Sequence, residues 1–195
     1  MANWASTEYV IEGPKDKVQL IFNTIDDFMT GKKPFKEHSC EGWEGNVILE
    51  LNDKHKPIDF SKSYLRGFFQ DYNMDEGNIR IYAEEAWGAT DFRRCLKKLF
   101  PDVTIYFKVE ENGCEVYATN DSAGKYFSER YLIDYSVDGA DDIEYFDELK
   151  DALKYAAKIM NVASATLEDV EEWNDKNEEN DNEDYIYIHS FAVIP

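Results

Sequence analysis

Residues 78–113, NIRIYAEEAWGATDFRRCLKKLFPDVTIYFKVEENG, carry the alternation that decides the fold. Ile79, Ile81 and Ala83 fall on one side of an extended segment, and Arg80, Tyr82 and Glu84 on the other. Thr90 and Asp91 then supply an N-cap and an acidic first turn. Phe92, Cys95, Leu96 and Leu99 recur at helical spacing, and Pro101 stops the helix. Val103, Ile105, Phe107 and Val109 alternate with Thr104, Tyr106 and Lys108 as a second strand. Asn112-Gly113 predicts a tight hairpin turn, with a return strand over 114–121 that sends Cys114, Val116 and Ala118 inward. A strand, a helix and a hairpin in this order indicate an α+β protein.

Working upstream, residues 8–13 read as a strand, and Pro14 suits the start of a helix. Val18, Ile21, Phe22, Ile25, Phe28 and Met29 form that helix's apolar stripe. The pattern predicts a loop over 32–45, a strand over 46–52 and a short helix over 60–72. Downstream, alternation predicts strands over 129–137 and 142–146. Leu149, Ala152, Leu153, Ala156 and Met160 mark a helix, and Thr166 with Asp169 forms a capping box for a short helix carrying Leu167, Val170 and Trp173. Residues 174–184, NDKNEENDNED, read as an acidic loop before a closing strand. No linker composition divides the chain, so a single domain over 1–195 is expected, with a core at 1–137 and a C-terminal α/β elaboration at 138–195.

Composition narrows the function classes. The chain has 41 acidic and 21 basic residues, a formal net charge of −20. Such a surface repels phosphates and anionic membranes, so no direct nucleic-acid binding and no membrane partner are expected. Two short basic clusters run against the mean: Lys32, Lys33 and Lys36, and Arg93, Arg94, Lys97 and Lys98. No apolar run reaches the ~20 residues of a membrane helix, and the opening MANWASTEYV has no signal-peptide pattern. Cys40, Cys95 and Cys114 are odd in number and lack CxxC spacing, which fits a reducing, cytoplasmic setting.

Three stretches taken together resemble a known family. NWASTEYVIEG at the start, IRIYAEEAWG followed by FRRCLKKLFPDVTIYFKVEENG, and YATNDSAGKYFSERY resemble the YubB ferredoxin-like family, bacterial, phage and plasmid proteins of unknown function, over about residues 1–135. The resemblance implies a ferredoxin-like βαββαβ antiparallel sheet with helices on one face. It implies topology and no iron–sulfur cluster, and it carries over no catalytic residue. The chain departs at Ala5, where the family often has cysteine, which argues against thiol chemistry or metal ligation there.

Catalytic and metal signatures are missing from the sequence. His38 and Cys40 stand two apart, but nothing repeats the spacing, and His55 and His189 are distant. The acidic run at 175–184 lacks the glycine and ligand order of a calcium loop. No nucleophile motif is present, so no cofactor, no metal and no catalytic residue are expected. Glu84-Glu85 and Glu110-Glu111 are adjacent on strands, so at most one of each pair can enter a shared site, and exposed strand-end glutamates are the plain reading. The binding candidates are Trp87, Tyr106, Glu110, Tyr117, Asn120, Asp121, Tyr126 and Tyr131, with Phe127 beside them. Tyr106 and Tyr117 are expected on a shared sheet face, either open or floored by the C-terminal segment. The expected function is a non-enzymatic accessory protein of a mobile element that contacts an unidentified protein partner, with carboxylate mimicry of nucleic acid as a sharper version. The alternative is an unrecognised enzyme or small-ligand-binding protein with a site around Trp87, Glu110 and Asp121.

Overall fold

A computed structural model describes residues 3–36, 40–54 and 58–195. The chain is α+β and separates into two compact units, Met1–Val116 and Tyr117–Pro195. The division by packing therefore falls between residues 116 and 117, within β5 (Val116–Thr119).

In the first unit, β1 (Trp4–Glu12) leads into α1 (Lys15–Met29) and α2 (Glu44–Asp53). β2 (Gly67–Asp75), β3 (Asn78–Ala86), α3 (Phe92–Leu99) and β4 (Thr104–Glu111) follow. The strands lie in the order β2-β3-β1-β4, every neighbouring pair antiparallel. Alternation explains the core. Ala5, Thr7, Tyr9 and Ile11 of β1, Ile79, Ile81 and Ala83 of β3, and Ile105, Phe107 and Val109 of β4 are buried. Val18, Ile21, Ile25 and Phe28 of α1 and Phe92, Cys95 and Leu96 of α3 are buried too. The Phe92 ring meets Tyr9 and Phe69 edge-on at 5.4 and 5.1 Å.

Two upstream expectations are overturned. Residues 44–53 form a helix where a strand over 46–52 was expected. Val47, Ile48 and Leu51 are the buried apolar positions, a helical i, i+1, i+4 set that a short run of alternating residues can hide. The Asn52 amide then closes the exit by bonding the Ile58 backbone in both directions, at 2.8 and 2.9 Å. Residues 67–75 are strand β2 rather than part of a helix over 60–72. A two-residue turn, Glu76-Gly77, with both residues in the left-handed region (φ 49° and 86°), pairs Asp75 with Asn78 and fixes β2 against β3. The stretch 68–72 mixes apolar residues on both sides because a bulge between Phe69 and Asp71 shifts the register.

In the second unit, a three-stranded antiparallel sheet has the order β7-β6-β8: β6 (Tyr131–Val137), β7 (Ala140–Phe146) and β8 (Tyr185–Ser190). β9 (Ala192–Val193) pairs in parallel with β5. Asp138 and Gly139 (φ 54° and 74°) make the β6–β7 turn. α4 (Leu149–Ile159) and α5 (Leu167–Glu179) cover one face of the sheet, around Ile133, Ala152, Ala156, Val170 and Ile186.

The capping box at Thr166 and Asp169 forms as expected. The acidic loop expected over 174–184 is shorter: α5 continues through Glu179, and only residues 180–184 lie outside helix and strand before β8. The Asn174 amide donates to the Ile186 carbonyl at 2.8 Å and accepts from its N–H at 2.9 Å, and Asn177 donates to Asp184 O at 3.1 Å. These bonds tie the polar second half of α5 to β8, beyond the apolar contacts of Val170 and Trp173. The turn at Asn112-Gly113 is a 3₁₀ turn, Asn112–Cys114, followed by Glu115 in the left-handed region. Among the described residues no helix is long and apolar enough to cross a membrane.

Candidate functional site

The expected binding residues divide between the units. In the first unit, Trp87 is 53% exposed, sits at φ 66°, and donates its backbone N–H to Asn3 O at 2.9 Å. Tyr106 and Glu110 lie on the outer face of β4, opposite the side that buries Ile105 and Phe107. Tyr106 donates to Glu12 Oε1 at 3.1 Å, and Glu110 pairs with Lys108 at 3.2 Å. In the second unit, Tyr117 is buried with Leu132 and Phe191 and stacks on His189 at 4.4 Å, so it is not on an open face. Tyr131 packs against the cluster beneath α4 and α5.

Asp121 is buried. Its Oδ2 accepts from the backbone N–H groups of Tyr126 at 2.6 Å and Phe127 at 3.0 Å. Burial pushes this carboxyl up, but the N–H groups and nearby Arg130 outweigh that and hold it below the usual range. Arg130 also donates to the Asp121 carbonyl at 2.7 Å. Asp121 therefore organises the loop after β5. Asn120 and Tyr126 are half-buried beside it, and Lys125 Nζ lies 4.9 Å from the Tyr126 ring. His38 and His55 lie outside the described residues, and no group of three or more potential metal ligands occurs among those described.

The basic clusters are structurally committed. Lys33, Lys36 and Lys54 all reach Glu50, at 2.8 to 3.1 Å, which holds that carboxyl at about 2. Arg93 lies over the Phe107 ring at 4.4 Å, and Arg94 pairs with Asp91 at 3.0 Å. Lys97 donates to the carbonyls of Pro101 and Val103 at 2.8 and 2.7 Å, closing the end of α3.

The most unusual chemistry lies on residues that the sequence pattern passed over. Glu85, expected on an exposed strand end, is fully buried, and so is Glu44 at the start of α2. Alternation correctly separates Glu84, exposed, from Glu85, inside. Tyr9 donates to both Glu85 oxygens at 2.8 and 3.0 Å. The Thr90 hydroxyl stands 2.7 Å from Glu85 Oε1 and 2.9 Å from Glu44 Oε2, and it accepts the Phe92 N–H at 3.2 Å. A hydroxyl has one hydrogen to give. It can donate fully to one carboxylate only, and two buried carboxyls meeting at one hydroxyl and at each other favour one of them keeping its proton. Burial, reinforced by the Glu85 charge, pushes Glu44 well above the usual carboxyl range and makes it the proton carrier. Gly67 is required here, because a Cβ would stand 2.8 Å from Glu44 Oε2 and from Glu85 Cγ. A cavity of about 700 Å³ lies nearby, lined by Trp43, Phe60, Tyr64 and Phe68 among others, but neither glutamate is among its lining residues. The pair is a sealed structural joint between α2, β1 and β3.

The accessible candidate surface is the second unit's sheet. β6 sends Ile133 and its alternate neighbours toward the helices, so the rows on the opposite face follow from the register. Asp134 stands between Ile143 and Tyr187, Ser136 between Asp141 and Tyr185, and Leu132 between Tyr145 and His189. Tyr187 is 50% exposed, Ile143 41% and Tyr145 40%. Tyr185 and Tyr187 stack at 5.0 Å. Burial, then the charges of Asp134 and Asp141, raise the Tyr185 hydroxyl above its ordinary value. Asp134 and Asp141 lie on this face, and the unit as a whole carries 20 acidic and 6 basic residues, a formal charge of −14, against 21 and 15, or −6, in the first unit. Comparison with known protein families, with curated proteins and with solved structures gives no match.

Proposed function

We propose that this chain is a non-enzymatic accessory protein acting by protein–protein contact, and that its second unit presents the contact surface. The observation that carries this reading is a sheet face that leaves Ile143, Tyr145 and Tyr187 exposed beside Asp134 and Asp141, in a unit whose formal charge is −14. Tyrosines among carboxylates suit recognition of a cationic protein surface. The first unit is its scaffold, a ferredoxin-like βαββαβ core with α2 added after α1. The strand order β2-β3-β1-β4 supports that assignment. The motif resemblance supports membership of the YubB family and a place on a bacterial mobile element, working in the cytoplasm. The engaged lysines and arginines of α3 argue against direct DNA binding.

The test is affinity capture from a bacterial lysate with the natural chain and with a variant carrying Asp134→Lys, Asp141→Lys and Tyr187→Ala. A specific partner recovered by the first and lost with the second is expected. A partner held equally by both would move the contact off this unit.

A further inference from the structure

The three-stranded sheet of the second unit has two outer strands, and they are finished differently. On β8 the Asn174 amide occupies the Ile186 N–H and carbonyl, so α5 side chains close that edge. β7 is paired on one side, to β6, and forms the opposite edge. Its residues Ala140 to Ile143 and Tyr145 are exposed. The Ile143 N–H is met only locally, by the Oδ1 of its neighbour Asp142 at 2.9 Å. Such an edge is a template for one more strand.

Side-chain placement specifies what that strand would be. Asp141, Ile143 and Tyr145 share the face away from the helices, while Asp142 and Glu144 point to the other side. No basic side chain pairs with Asp141, Asp142 or Glu144 among the described residues. A strand laid beside β7 would place its side chains directly opposite these two rows. Apolar residues would meet Ile143 and Tyr145, and basic residues would meet Asp142 and Glu144. A second copy of the same edge would oppose carboxylate to carboxylate and is disfavoured.

We infer that β7 is a docking edge for an extended segment of a partner protein in which apolar and basic residues alternate. The inference rests on the protein-contact reading and names the partner chemistry. Main-chain bonds to β7 supply the attachment, and the alternation supplies register and specificity.

The experiment uses the full chain and a fluorescent seven-residue peptide alternating lysine and valine, read by anisotropy at low salt. Three controls accompany it: glutamate replacing lysine, the same residues in two blocks, and the alternating peptide methylated on every backbone nitrogen. The alternating peptide is expected to bind at least tenfold more tightly than each control. Asp142→Lys with Glu144→Lys should abolish binding, whereas Asp175→Lys with Glu178→Lys on α5 should leave it within about twofold. Equal binding of the methylated or block peptide would overturn edge docking and leave general charge attraction. No binding of any lysine peptide would overturn it too, and would make the carboxylates guards against self-pairing. Either failure can coexist with a positive capture result, so the two readings fail separately.

Discussion

The two units use the same residue type in opposite ways. In Met1–Val116 the carboxylates that matter are enclosed or engaged: Glu44 and Glu85 are buried against Thr90 and Tyr9, and Glu50 accepts three lysines. In Tyr117–Pro195 most carboxylates stand in solvent on β7, α5 and the following turn. The cores differ in parallel. The first is filled by large side chains such as Tyr9, Phe28, Phe92 and Phe107, and the second by Ile133, Ala152, Ala156, Val170 and Ile186. A carboxylate stabilises a fold where donors surround it, and it is only a surface charge where none does. Net charge alone therefore does not tell structure from display.

The largest test of this contrast lies at the buried pair. Glu85→Ala removes the acceptor of Tyr9 and Thr90 and opens a cavity, and should cost about 2–4 kcal/mol in urea unfolding. Glu44→Gln keeps a neutral donor in place and should stay within about 1 kcal/mol of the natural chain near pH 4, where the Glu44 carboxyl is protonated. The pH dependence gives the sign. Glu44 is raised in the folded state, so its contribution is full below the unfolded carboxyl pKa of about 4.3 and is lost as pH rises toward its folded value. The stability of the natural chain should fall relative to Glu44→Gln by up to about 1.4 kcal/mol per pH unit across that window. Parallel stability curves for the two proteins between about pH 5 and pH 7 would show that the proton is not there.

Much of the first unit was legible because its strands are half-buried and alternate. β1, β3, β4 and the stripe of α1 follow directly from period 2 and period 3.6. The failures have local causes. At 46–52 the apolar residues satisfy both periods over a short window, and only the burial of Ile48 beside Val47 decides for a helix. At 60–72 a bulge broke the alternation. The turns Glu76-Gly77 and Asp138-Gly139 carry a readable glycine signal, and they fix two hairpins. Glu44 and Glu85 were not legible as a pair. Their 41-residue separation is closed by tertiary packing, and a glutamate on a strand reads as solvent-facing unless its partners are known. The nearest signal was strand parity, which placed Glu85 in phase with Ile79, Ile81 and Ala83. The expected surface fared unevenly for the same reason: Tyr117 obeys a stacking contact with His189 that parity cannot anticipate.

A smaller effect separates the two edges of the second sheet. Asn174→Ala removes both bonds that close β8 and should cost about 1–2 kcal/mol, with faster hydrogen exchange at the Ile186 amide. Ile143→Thr on β7 keeps a β-branched side chain at an exposed position and should cost less than about 0.5 kcal/mol. Exchange at the Ile143 amide as slow as at the Ile186 amide in the natural chain would mean that β7 is as firmly closed as β8, and the docking edge would lose its basis.

The smallest expected effect bears most directly on what the charge is for. Glu171, Glu172, Asp175 and Glu178 are exposed on α5, whose one buried residue is Val170. Glu172 pairs with Lys176 at 3.3 Å, but both side chains are more than half exposed, and such a pair is worth about 0.3–0.5 kcal/mol at most. Against that loss stands relief of repulsion within a unit of net charge −14. Replacing all four residues by their amides, with the capping pair Thr166 and Asp169 left intact, should therefore change stability by no more than about 0.5 kcal/mol per site, in either direction. Added salt screens the same repulsion, so it should raise the Tm of the natural chain more than that of the neutralised variant. Loss of more than about 2 kcal/mol on neutralisation would make these carboxylates structural, as they are in the first unit. The reading of the second unit as a displayed acidic surface would then fall with the contrast.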